Sequence, residues 1–300
     1  MRIAAVDIGT NTVRLLIART ESRDSETVVH WLDHREAVTR LGEGVDDDRV
    51  LSQDAMGRTL AVLAGYREAI RRHEASMVVA VATSATRDAA NREDFLARAE
   101  QALGYAPTVI SGGEEASLAF SGTTNAATGE PPHLVIDLGG GSTEFVLGKT
   151  EPDLAMSIDI GSVRLTERRL PHRPATPGQV AAARSEARRH LDTVVLTDEP
   201  GTILGVGGTF TTLAHLIGDG RVHGAQLSAG VLTDVVARLS RATVEETVSR
   251  WGVHPRRAPV LLGGAIVAEQ ALAHLDAGTI TVSERDMLDG IVIEAARTVR

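Results

Sequence analysis

Three hundred residues exceed what one compact core usually organises, which points to two domains of about 100–200 residues each. Hydrophobic residues at 43% and charged residues at 24% match a folded globular chain, and a formal charge of −9 excludes the basic footprint that duplex nucleic acid demands. The absence of cysteine removes disulfides, zinc–thiolate sites, iron–sulfur clusters and a cysteine nucleophile.

Along the chain, Ile3 to Asp7 reads as a short apolar strand and Thr12 to Arg19 as a second, bracketing a hairpin at residues 8–11. Asp7 interrupts the apolar run too early for a secretory signal. The most apolar later stretch, Ala258 to Ala273, contains Glu269 and is too short to span a bilayer, so a cytoplasmic protein is expected. The pattern then predicts a helix over Ser52 to His73, a strand over Met77 to Ala82, a helix over Asn91 to Leu103 and a short strand ending at Ile110. Gly122 to Pro132, rich in Gly, Thr, Asn and Pro, reads as a linker, dividing the chain into domains at 1–122 and 123–300 with the last helix able to pack back on the first.

The hairpin design returns at Leu134 to Asp137, followed by Leu138-Gly139-Gly140-Gly141-Ser142-Thr143-Glu144 and a strand through Leu147. Strands are further expected at Ala155 to Ile160, Thr202 to Val206 and Thr279 to Val282. Helices are expected at Gln179 to Leu191, from Thr209, over Ala229 to Ser249, over Val260 to Leu275 and from about Glu284. Strands followed by helices in both halves indicate α/β domains, and two matching hairpins half a chain apart indicate an internal duplication.

All but one of the 31 basic residues are arginine. The exception, Lys149, lacks the glycine spacing of a Walker A loop and reads as a solvated hairpin lysine, which excludes P-loop ATPases and leaves Schiff-base chemistry unsupported. Glycine turns let backbone N–H groups approach an anion, and Ser, Thr and Asn add donors. Gly9, Thr10 and Asn11, and Gly139, Gly140, Gly141, Ser142 and Thr143, are therefore candidate phosphate-binding residues; a single such turn reads first as a tight hairpin, and it is the second copy that favours phosphate. Asp7, Asp137 and Glu144 are candidate ligands for Mg²⁺ or Mn²⁺. Gly207, Gly208 and Thr209 open a helix whose N–H groups serve either another phosphate or the cap itself. Ser111 with Glu114 makes a capping box, which accounts for Glu114 and leaves Glu115 without a structural reason. Arg87 follows a strand and a Thr-Ser-Ala-Thr turn, placed either to clamp phosphate or to pair with Asp88 or Glu93. No histidine spacing suggests a metal site, and Arg184 to His190 reads as a solvated helix face, with guidance of a polyanion as the sharper alternative.

Asp7-Ile8-Gly9-Thr10-Asn11, Ala82-Thr83-Ser84-Ala85-Thr86-Arg87, Ser111-Gly112-Gly113-Glu114-Glu115-Ala116, Asp137 to Glu144 and Gly205-Val206-Gly207-Gly208-Thr209 together resemble the signatures of the exopolyphosphatase/guanosine pentaphosphate phosphatase (Ppx/GppA) family, nearly end to end. The resemblance implies two ribonuclease-H-like α/β domains of the actin/Hsp70/sugar-kinase superfamily, with an active site in an interdomain cleft. It implies Glu115 as the base that activates water, a phosphate role for Arg87 and a weaker one for Arg40. The expected activity is metal-dependent removal of the terminal phosphate of linear polyphosphate by a homodimer. Guanosine pentaphosphate hydrolysis, an ATPase or kinase on the same fold, and a non-catalytic alarmone-binding regulator are the alternatives. The chain ends without the extra C-terminal domains of long members, and Leu288 stands where the family commonly has arginine, with Arg285 three residues earlier as a possible substitute. Both features point to a preference for short polyphosphate.

Overall fold

The computed structural model describes residues 1–23, 26–125, 127–218 and 220–298. The chain folds into two compact units, one of Met1–Asn125 with Arg285–Arg300, the other of Ala126–Glu284.

In the first unit, β1 (Arg2–Ile8) pairs antiparallel with β2 (Thr12–Arg23), which pairs antiparallel with β3 (Glu26–Val38). The helices α1 (Val45–Asp48) and α2 (Gln53–Arg72) lead to β4 (Met77–Ala82), which lies parallel to β1. Then come α3 (Ser84–Asp88), α4 (Arg92–Leu103), β5 (Thr108–Val109) parallel to β4, and α5 (Gly112–Thr124). The sheet order is β3-β2-β1-β4-β5.

The α2 boundaries follow from its ends. Ser52 Oγ accepts from the Ala55 amide at 3.2 Å, and Arg71 and Arg72 occupy the last turn, where cations complement the helix dipole. Its buried Met56, Leu63 and Ile70 recur at helical spacing. No strand is expected from the sequence over 26–38. The reason is that β3 is an edge strand whose His30-Trp31-Leu32-Asp33-His34-Arg35 run is partly exposed on both faces and carries no apolar alternation.

The second unit begins with β6 (His133–Leu138), β7 (Thr143–Gly148) and β8 (Pro152–Ile158), an antiparallel meander. It continues through α6 (Ser162–Arg169), α7 (Pro177–Leu191), β9 (Thr202–Val206), α8 (Gly208–Ile217), β10 (Gln226–Ser228), α9 (Ala229–Arg241), α10 (Val244–Trp251), α11 (Ala258–His274) and β11 (Thr279–Val282). The stretch expected to be largely helical over 229–249 comprises two helices, because Thr243 and Glu246 form a capping box that starts α10 afresh. The sheet order β10-β11-β9-β6-β7-β8 contains, read from β8 to β11, the same arrangement as the first sheet, with β10 added at the edge. Both units thus carry the ribonuclease-H-like core, and the duplication inferred from the hairpins holds at the level of topology.

The last helix, α12 (Met287–Arg297), belongs to the first unit. Along β1, Ala4, Val6 and Ile8 join the core formed with α2 and α4, whereas Ile3 and Ala5 join a second core with Met287, Leu288, Ile291 and Val292 of α12. By the two-residue strand period, Asp7 lies on the α12 side of the sheet. Helices α12 and α5 approach so closely that a Cβ on Gly122 would strike the Asp286 carbonyl and one on Gly290 the Leu118 carbonyl. No helix among the described residues is long and apolar enough to cross a membrane.

Candidate active site

In the first unit the site residues gather at the carboxyl ends of β1 and β4, where ligands of α/β sheets commonly bind. Gly9 N donates to Thr12 O at 3.0 Å and closes the β1–β2 turn. Later stretches of the chain hold the turn in place: Gly42 N donates to Thr10 O, Thr39 and Arg40 N both donate to Asn11 O, and Ala85 N donates to Thr10 Oγ1. With those oxygens occupied, the amides of Thr10 and Asn11 have no protein acceptor among the described residues.

Asp7, only 4% exposed, is gripped by Arg14, whose Nε and Nη2 donate to Oδ2 at 2.9 and 2.7 Å. Its other oxygen, Oδ1, is buried without a hydrogen-bond partner. Burial pushes the Asp7 carboxyl above its ordinary range, and the Arg14 guanidinium opposes that rise.

Arg87 and Glu115 come together, with Arg87 Nη1 at 3.5 Å from Glu115 Oε2 and 2.9 Å from the Ile110 carbonyl. Nε and Nη2 of Arg87 donate to no protein group among the described residues. The two neighbouring glutamates divide as their sequence context implies. Glu114 is exposed, receives the Ser111 amide and hydroxyl at 2.8 Å each, and these bonds lower its pKa; Glu115 turns inward and is 8% exposed. Arg40 Nη2 pairs with Glu43 at 3.0 Å, and its Nε is buried without a hydrogen-bond partner.

In the second unit Gly139 N donates to Ser142 O at 3.1 Å, the same closure as in the first hairpin. Ser162 N donates to Gly139 O, and Val163 and Arg164 N donate to Gly140 O, so the loop's carbonyls are turned onto the start of α6. The amides of Gly140, Gly141 and Ser142 then have no protein acceptor among the described residues. Thr143 is different: it is fully buried and its hydroxyl donates to Ile160 O at 2.6 Å, a tie within the fold. Asp137 and Glu144 stand directly opposite across the β6–β7 ladder, which puts both carboxylates on one face, and Ser157 donates to Glu144 Oε1 at 2.7 Å.

Gly207 completes this rim. Its φ is +92°, and a Cβ there would lie 2.9 Å from Asp137 Oδ1, so both conformation and space require glycine. Next to it, Arg257 Nη1 donates to Gly208 O at 2.7 Å and Thr212 Oγ1 at 2.9 Å. Arg257 and Arg14 carry no motif that singles them out in the sequence, although the hairpin spacing that pairs Asp137 with Glu144 also pairs Asp7 with Arg14.

Arg184 makes a two-bond fork to Glu269, Arg188 donates to Gln270 and Arg189 stays largely exposed, the arrangement of a solvated helix face. Leu288 is 1% exposed in the core between β1 and α12, while Arg285 stacks over Trp31 at 4.4 Å and pairs with Asp289 at 2.7 Å. Leu288 is thus committed to packing, and Arg285 to Trp31 of β3 and Asp289 of α12.

Among the described residues no three His, Cys, Asp or Glu side chains gather as a ready-made metal cage. Carboxylates in ones and twos are the donor set that suits Mg²⁺, which keeps waters and completes its shell with substrate phosphate. The unpartnered Asp7 Oδ1 and the facing Asp137 and Glu144 fit that description.

Residues 16–298 match the model of the Ppx/GppA phosphatase family. The chain belongs to this family. It is 39% identical to exopolyphosphatase 2 of Mycobacterium tuberculosis H37Rv, over 98% of each chain. Among solved structures, an exopolyphosphatase-like protein superposes with a TM-score of 0.93 at 35% identity, covering 100% of both chains. An exopolyphosphatase from Cytophaga hutchinsonii superposes with a TM-score of 0.89 at 27% identity, covering 100% of this chain and 99% of its own. Ppx/GppA membership accounts for the order of motifs along the chain, from the first hairpin to the glycines before α8.

Proposed function

We propose that this chain is an exopolyphosphatase that releases the terminal phosphate of linear polyphosphate. The observation that carries the reading is the pair of matching turns whose consecutive amides find no acceptor in the protein, at Thr10–Asn11 and Gly140–Ser142. Consecutive free amides form an anion-binding concavity, and two of them suit a substrate that is phosphate along its whole length. Relatives named exopolyphosphatase support the same substrate.

In this reading Arg87, through its uncommitted Nε and Nη2, and the turn amides hold phosphoryl oxygens. Water attacks the terminal phosphorus, its proton passes to the Glu115 carboxylate, and the bond from phosphorus to the bridging oxygen breaks with its electron pair leaving on the shortened chain. Asp137 and Glu144 in the second unit, and Asp7 in the first, are the residues of each hairpin that would hold Mg²⁺ or Mn²⁺. Such a cation offsets charge on the phosphate oxygens. Burial of Glu115 beside Arg87 keeps the base in one place.

The test is phosphate release from long polyphosphate, tripolyphosphate, guanosine pentaphosphate and ATP, for the wild type and for Glu115→Gln and Glu114→Gln. Polyphosphate should be the best substrate, Glu115→Gln should lose roughly 10²–10⁴-fold in rate, and Glu114→Gln should lose only helix-cap stability. Guanosine pentaphosphate as the best substrate overturns the substrate assignment, and an active Glu115→Gln beside an inactive Glu114→Gln overturns the base.

A further inference from the structure

We propose that Arg14 and Asp286 act as a positioning pair that fixes the Asp7 carboxylate and reserves its Oδ1 for a divalent cation. The inference rests on the reading of Asp7 as a cation ligand. Arg14 places two of its donors on a single oxygen, Oδ2 of Asp7, and its third terminal donor, Nη1, on Oδ2 of Asp286. A planar guanidinium held at both ends cannot swing, so the carboxylate it grips cannot rotate freely.

Asp286 is itself fixed. Its Oδ1 accepts from the Leu288 amide at 2.8 Å as the N-cap of α12, which leaves Oδ2 for Arg14. The anchor of the arrangement is thus the start of a helix whose Met287, Leu288 and Ile291 are core residues. The same helix lies against α5, the element that carries Glu115, through the Gly122 and Gly290 contacts.

The oxygen this clamp leaves over is the informative one. Arg14, Asp7 and Asp286 have side chains only 12%, 5% and 11% exposed, and within that enclosed cluster Asp7 Oδ1 alone is left without a partner. A buried carboxylate oxygen without a donor is costly, so it is expected to have a partner that the chain does not supply. An ion pair serving only stability would be expected to spread the Arg14 fork over both oxygens, as Arg184 does on Glu269, where Nε and Nη2 meet Oε2 and Oε1 separately. At Asp7 both donors crowd onto one oxygen.

The experiment measures Mn²⁺ binding to the full chain by electron paramagnetic resonance, with no substrate present, for the wild type, Asp7→Asn, Arg14→Lys and Asp286→Asn. Lysine keeps the charge and loses the fork, while asparagine keeps the N-cap and loses the ion pair. Residues that orient a ligand typically cost 10–100-fold in metal affinity when changed, so Arg14→Lys and Asp286→Asn should each weaken Mn²⁺ by about tenfold, and the double variant by little more than Arg14→Lys alone. In turnover, the Mn²⁺ concentration for half-maximal phosphate release should rise by the same factor and excess Mn²⁺ should restore kcat, a rescue that a merely structural pair does not give. Mn²⁺ affinity unchanged within twofold in both variants, or no Mn²⁺ binding by the wild type, overturns the inference. If affinities shift as stated but no polyphosphate is hydrolysed, the proposed function fails and the positioning role stands.

Discussion

The hairpins at residues 7–14 and 137–144 are the same object built twice and charged differently. Each starts with an aspartate at the end of a central strand, each closes with the same amide-to-carbonyl bond from its first glycine, and each pairs the aspartate with the residue seven positions on. In the first unit that partner is Arg14 and in the second it is Glu144. One aspartate is therefore neutralised by its own hairpin, while the other stands beside a second carboxylate. Two like charges on facing positions repel unless a cation or a proton intervenes. The duplicated fold supplies the frame, and one cross-strand position sets the charge that each copy presents.

The largest effect should come from removing that difference. Glu144→Gln keeps the shape of the side chain and its contact with Ser157 while cancelling one charge. Divalent cation affinity should fall at least 10–100-fold, taking the cost of losing a residue that only orients a ligand as the floor. Titration of phosphate release with Mg²⁺ reads the effect. An unchanged Mg²⁺ requirement would show that the second hairpin is not the principal cation site.

The turns after the parallel strands sharpen the contrast. After β4 the chain passes through Thr83 at φ −116°, whereas after β9 it passes through Gly207 at φ +92° against Asp137. With ψ at 166° the conformation is essentially confined to glycine; a side chain there costs roughly 1–3 kcal/mol, and its Cβ would also press on the Asp137 carboxylate. Gly207→Ala should therefore lower stability by about that amount and raise the Mg²⁺ requirement as well. A variant less stable but with an unaltered Mg²⁺ requirement would make Gly207 a backbone feature alone.

Much of this architecture is legible in the sequence for a physical reason. Strands such as β1 and β6 are buried on both faces, so their apolar runs stand out, and a strand-end aspartate followed by glycine leaves few local conformations. The capping box at Ser111 and Glu114 is equally local, and it suffices to separate Glu115 from its neighbour. The illegible parts depend on distant partners. Arg14 meets Asp286 across 272 positions, and Arg257 meets Gly208 across 49, with no spacing rule to connect them. The edge strand β3 escapes for the opposite reason, since half-solvated residues on both faces give no period to read.

The smallest effect concerns the strand before each aspartate. Four residues before Asp7 stands Ile3, fully buried; four before Asp137 stands His133, also buried, with Nδ1 unpartnered. Burial lowers the His133 pKa, and the charge of Glu130 only partly opposes this. The folded state thus refuses a proton that the unfolded state accepts near its ordinary value of about 6.5. The contribution to stability is complete above that value and declines as pH falls below it towards the lowered folded pKa. His133→Ile copies the first unit and removes the titration. Between about pH 7.5 and pH 5.5 the wild type should lose about 1–2 °C of Tm more than the variant, on a scale where 1 kcal/mol moves Tm by about 2–4 °C. Parallel Tm profiles for the two proteins would mean that His133 gains a partner on protonation, and the second strand would then be no more acid-sensitive than the first.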